Sequence, residues 1–130
     1  MNWYKKAMQR SEEDRDIAKI PKSCKGGDCY CASGRYVMSH GFSNPNLKLV
    51  HGEVTGQGKI QGIKYGHAWI EDGEEVIDVS GGRFLKLPKV IYYAIGRIEE
   101  DKVFKYDVRQ VIDKTNETGN WGPWDLQTKY

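Results

Sequence analysis

The chain reads as an α+β protein in which a helix packs on a small antiparallel β-sheet. Three observations predict this. Residues 65–80 (Tyr-Gly-His-Ala-Trp-Ile-Glu-Asp-Gly-Glu-Glu-Val-Ile-Asp-Val-Ser) flank an Asp72-Gly73 pair, the strongest short-range hairpin signal. Asp28 is a good N-cap, and Ala32, Tyr36 and Val37 behind it fit an apolar stripe at helical spacing. Residues 47–55 alternate as a strand does, and residues 90–98 (Val-Ile-Tyr-Tyr-Ala-Ile-Gly-Arg-Ile) form a β-branched and aromatic run.

The elements follow in order. Residues 3–19 are charge-rich, with Trp3, Ala7 and Met8 as a short apolar stripe, and read as a helix on the domain edge. Gly26-Gly27 is a loop, and a helix starts with Cys29 in its first turn. Gly34 weakens that helix by about 1 kcal/mol against Ala. Residues 41–48 are loop material before the strand from Leu47 to Thr55, and Gly56, Gly58 and Gly62 mark a connector to the hairpin. Ser80-Gly81-Gly82 turns the chain. Residues 90–98 read as a central strand, and 102–106 as its antiparallel neighbour. Asp107 and Gln110 form a capping box, Val108, Val111 and Ile112 the apolar face of a short helix, and Gly119 its terminator. A chain of 130 residues is large enough for one domain with a genuine core. It divides into a helical extension over 1–20, a core over 24–106, and a C-terminal helix with a tryptophan-rich tail over 107–130.

Turn arithmetic then brings chemistry together. A two-residue turn at Asp72-Gly73 pairs Glu71 with Glu74, Trp69 with Val76, and His67 with Asp78. Cross-strand partners share a face, with Cβ atoms roughly 5 Å apart. His67, Trp69, Val76 and Asp78 line one face; Ala68, Ile70, Ile77 and Val79 line the other, which suits a core. A carboxylate beside a histidine fixes its tautomer and stabilises its charged form. The competing reading is a structural pair that pins the hairpin. A nucleophile for the histidine is available at Cys29. A thiol at a helix N-terminus sits near the positive end of the dipole, which favours the thiolate. First-turn N–H groups can also face a developing oxyanion.

A cysteine opening a helix, then a histidine on a strand, then an acid on the neighbouring strand, resembles the papain-like cysteine hydrolase superfamily. The Gly-His-Ala-Trp-Ile-Glu…Val-Ile-Asp-Val-Ser stretch is most similar to its transglutaminase-like and small bacterial and phage-borne branches. The resemblance covers residues 24–106. It implies a papain-like core, with Cys29 as nucleophile, His67 as general base and Asp78 as orienting acid. It further implies a thiol protease, amidase or acyltransferase acting on a peptide or protein, without a cofactor or metal. Many such enzymes carry a glutamine before the cysteine as an oxyanion donor. Residues 22–27 are Lys-Ser-Cys-Lys-Gly-Gly, so the Cys29 backbone N–H is the one donor assigned. The alternative is a catalytically silent binding module on the same fold.

Other side chains have competing roles. Trp69 shares the histidine face, where it shields the His–Asp pair or contacts substrate. Trp121 and Trp124 either cover a hydrophobic edge or line the substrate cleft. Cys31 reads as a packed, inert thiol and Cys24 as a loop thiol. The spacing of Cys24, Cys29 and Cys31 departs from zinc knuckles. His40 lies about 16 Å along the helix from Cys29, too far to serve it. His51 has no acidic partner at a defined register. Glu71, Asp72, Glu74 and Glu75 read as a solvated acidic turn.

Composition excludes several classes. A net charge of +2, from 20 basic and 18 acidic side chains, exerts no general pull toward nucleic acid or membrane. Apolar runs are too short to span a bilayer, and the N-terminus lacks the apolar centre of a signal peptide. Three cysteines, an odd number, argue against a disulfide framework and agree with a reducing compartment. A cytoplasmic location is expected.

Overall fold

The computed structural model describes residues 28–127. The expected helix over 3–19 and the Cys24 loop lie outside the described residues. Helix α1 spans Cys29–His40, capped by the Asp28 carboxylate, which accepts the Cys31 N–H at 3.1 Å. Strand β1 (Leu47–Thr55) matches the expected span. Strands β2 (Lys64–Asp72), β3 (Glu75–Asp78) and β4 (Leu85–Pro88) follow, then helix α2 (Lys89–Gly96), strand β5 (Phe104–Tyr106) and helix α3 (Val108–Thr118). The described residues thus hold three helices and one antiparallel sheet of order β4-β3-β2-β1-β5. The Asp107–Gln110 capping box and the Gly119 terminator form as expected.

The sheet lies between two layers. Leu49, Ala68, Ile70 and Ile77 on one face pack with Val37 and Met38 of α1 and Val111 and Ile112 of α3. Val50, Val54, Trp69 and Val76 on the other face pack with Tyr92 and Tyr93 of α2. The two sets of hairpin residues therefore face the sides their alternation predicts.

Two expectations are corrected. The hairpin pairs Asp72 with Glu75, Glu71 with Val76 and Ile70 with Ile77, so its loop is Gly73-Glu74. Gly73 has φ of 62° and Glu74 has no positive φ, which matches a turn with glycine in its first central position. The Asp-Gly motif anticipated glycine in the second. The slip moves each partner by two residues, so every side chain keeps its face.

The second correction concerns residues 90–98, which form a helix over most of their length rather than a central strand. Strand β5 accordingly pairs with β1. The physical reason is the adjacent pair Tyr92 and Tyr93. In a strand they would point to opposite faces. In α2 both lean onto Trp69, with ring centroids 5.5 and 5.9 Å away. Pro88 at the start and a left-handed Arg97 (φ 50°) at the end bound the helix. Val90, Ile91 and Ile95 are left exposed.

Candidate active site

His67 and Asp78 meet on the α2 side of the sheet. The register places Trp69, not His67, level with Asp78, so the imidazole reaches its partner diagonally. His67 Nε2 lies 3.0 Å from Asp78 Oδ2. Both side chains are largely buried, 13% and 12% exposed. The carboxylate is fully engaged. Its Oδ1 accepts the Ser80 N–H at 2.9 Å and the Ser80 hydroxyl at 2.6 Å, and its Oδ2 also accepts the Tyr92 hydroxyl at 2.7 Å. Burial would raise the Asp78 pKa. The bonds from His67, Ser80 and Tyr92 overcome it and hold the carboxyl well below the usual range.

The Cys29 thiol lies close enough to the His67 ring to act on its charge. Nε2 is taken by Asp78, which leaves Nδ1 as the ring nitrogen that the carboxylate does not engage. Burial would lower the His67 pKa, but the bonds to Asp78 and Cys29 push it up to about 9. The imidazolium is thus the favoured form at neutral pH. Trp69 stacks beside the ring at 6.2 Å between centroids and is 0% exposed. It shields the pair. The expectation that Trp69 also contacts substrate is corrected, because its indole is enclosed and its N–H is held by Glu71 at 3.1 Å.

Cys29 is a free cysteine in the first turn of α1, 8% exposed and part of the core cluster. The amides of its turn divide neatly. The Cys31 N–H is capped by Asp28 and the Ala32 N–H bonds the Asp28 carbonyl. The Cys29 and Tyr30 N–H groups precede the first intrahelical bond and have no partner among the described residues. Cys31 is disulfide-bonded, so its reading as an inert thiol is corrected. The inference from cysteine parity to a reducing compartment falls with it.

The rival bases lie elsewhere. His51 is 0% exposed on the α1 side of the sheet, with neither ring nitrogen bonded. Tyr30, Tyr106 and Trp124 surround it with ring centroids 4.9, 5.2 and 5.1 Å away. Burial lowers its pKa to about 4, slightly opposed by Asp125. His40 is exposed at the far end of α1, its ring against Tyr36. Trp121 and Trp124 pack on the core as partly buried side chains, Trp121 against Gly34 and Trp124 on His51. Both pack on the cluster that also contains Cys29.

Glu71 is also not part of a solvated turn. It is 4% exposed and accepts bonds from Trp69 and the Tyr93 hydroxyl, with the Lys105 ammonium 3.0 Å away. Sequence reading missed Ser80 and Tyr92 as partners of Asp78. The Asp-x-Ser spacing was a legible signal for a local turn. Tyr92 was hidden by the strand assignment.

Among the described residues no group of three His, Cys, Asp or Glu side chains is arranged to hold a metal ion. No described helix is long and apolar enough to cross a membrane. In comparisons with known proteins, no family model, curated protein or solved structure matches the chain.

Proposed function

We propose that the chain is a papain-like thiol hydrolase or acyltransferase acting on an amide-type bond of a peptide or protein. Cys29 is the nucleophile, His67 the base and acid, and Asp78 the group that orients the imidazole. The observation that carries this reading is the convergence of a free thiol at a helix N-terminus with an imidazole already bonded to a buried carboxylate.

The chemistry follows from the positions. His67 Nδ1 takes the Cys29 proton and leaves a thiolate–imidazolium pair, stabilised by Asp78. The thiolate adds to the carbonyl carbon, and the C=O electron pair moves to oxygen. The Cys29 N–H faces that oxygen. Collapse of the adduct breaks the C–N bond as His67 protonates the leaving amine. Water or a second amine, deprotonated by His67, then resolves the thioester, giving hydrolysis or acyl transfer.

A second reading, a catalytically silent binding module, is favoured by the small exposure of Cys29. One experiment separates them. Iodoacetamide labelling at pH 7, read by peptide mass spectrometry, should modify Cys29 at least tenfold faster in the wild type than in His67→Ala. Equal rates would establish an ordinary thiol and remove the catalytic reading.

A further inference from the structure

The geometry points to Tyr65 as the second oxyanion donor of this site, its hydroxyl facing the carbonyl oxygen alongside the Cys29 N–H. The inference rests on the proposed thiol chemistry and deepens it. The first turn of α1 offers backbone N–H groups alone, at Cys29 and Tyr30, and oxyanion sites commonly add a side-chain donor where charge develops. The expected glutamine is missing from residues 22–27. The side-chain donor is therefore open to another group.

Among the described side-chain donors near His67, elimination leaves one. The Tyr92 hydroxyl and the Ser80 hydroxyl are spent on Asp78. The Trp69 N–H and the Tyr93 hydroxyl are spent on Glu71. Ser33 bonds the Ala68 carbonyl at 3.3 Å. Tyr30 turns its ring to His51, on the opposite side of the sheet. Tyr65 remains, and its hydroxyl has no hydrogen-bond partner among the described residues.

Its placement fits the role. Tyr65 stands two positions before His67 on β2, so both project from the same face. Its ring meets the imidazole edge-on, at 6.0 Å between centroids and 75° between planes. It is half-buried. The phenol also feels the charges of Cys29 and Asp78. With burial as the largest cause, these raise its pKa, so it keeps its proton and stays a donor beside a thiolate.

Two reagents separate this role from any other. With p-nitrophenyl acetate, the sulfur adds to the carbonyl carbon and the electron pair moves to oxygen, making the oxyanion. The pair then returns and the bond to nitrophenolate breaks. With iodoacetamide, the S–C bond forms as the C–I bond breaks, and no oxyanion arises. Tyr65→Phe should slow acylation of Cys29 at least tenfold and leave alkylation within twofold of wild type, with an unchanged circular dichroism spectrum. Parallel slowing of both reactions would make Tyr65 a positioning residue for the thiol–imidazole pair and overturn the inference. So would no change in either. His67→Ala is the control: if it fails to slow alkylation, the parent reading is what falls.

Discussion

Trp69 donates its indole N–H to Glu71, which follows two positions later on the same strand, at 3.1 Å. The carboxylate that receives it is buried on the α2 side of the sheet, where the Tyr93 hydroxyl and Lys105 also converge. Removing the carboxylate from such a cluster leaves the buried Trp69 N–H and the Tyr93 hydroxyl without their acceptor. Glu71→Ala should therefore cost about 3 kcal/mol of folding stability, read as a lower urea midpoint at unchanged slope. A loss below about 0.5 kcal/mol would show that water reaches the site past Lys105.

The Asp78 carboxylate sets the charge of His67. The histidine pKa is raised to about 9, so its contribution to stability is complete below the ordinary value near 6.5 and is lost as pH rises through 9. The Asp78 pKa is depressed, so its contribution is present above the ordinary carboxyl range and is lost as pH falls. The pair is thus strongest between these limits. Asp78→Asn should leave the fold in place and lower the His67 pKa by at least one unit, measured by NMR titration of the imidazole. An unchanged titration would show that Asp78 has no electrostatic hold on the ring.

His51 works in the opposite direction. Its pKa is lowered to about 4 by burial, so an unfolded chain takes up a proton near pH 6.5 that the folded chain refuses. Stability should fall between pH 6.5 and 4 by roughly 3 kcal/mol from this group alone. The slope should be shallower by that amount in His51→Leu than in the wild type, in denaturation curves taken across the range. Coincident slopes would mean that the buried ring accepts its proton without unfolding.

Gly34 makes a sharper test of packing. Glycine-to-alanine changes within a helix ordinarily gain about 1 kcal/mol. Here a Cβ would lie 2.7 Å from Trp121 Cε3. Gly34→Ala should instead destabilise the protein and shift tryptophan emission to longer wavelength as the indole is displaced into water. A gain in stability with unshifted emission would show that the tail gives way freely.

Much of this architecture was legible from local chemistry. Capping residues announced α1 and α3, because Asp28 and Asp107 satisfy amides within their own first turns. Alternation fixed the two faces of the hairpin, since a shift of two residues in pairing leaves every side chain on its side. The misread features all depend on distant partners. Tyr92 and Tyr93 fold as helix because Trp69, Asp78 and Glu71 lie beneath them. Glu71 is buried because α2 and β5 bring a phenol and a lysine to it. Cys31 forms a bond that its spacing from Cys29 does not announce. The His67–Asp78 contact was foreseen for a directly opposed pair and is made on the diagonal.

The brevity of β3 has a consequence of its own. The strand stops at Asp78, where a Ser80 turn folds back onto the carboxylate. Two more residues in the ladder would set Ser80 level with His67, by the same register. The serine would then be drawn into backbone pairing and the clasp on Oδ1 would open, leaving the carboxylate held through Oδ2 by His67 and Tyr92 alone. Strand length here is a tuning parameter: where the ladder ends decides whether one oxygen of the acid is held or both.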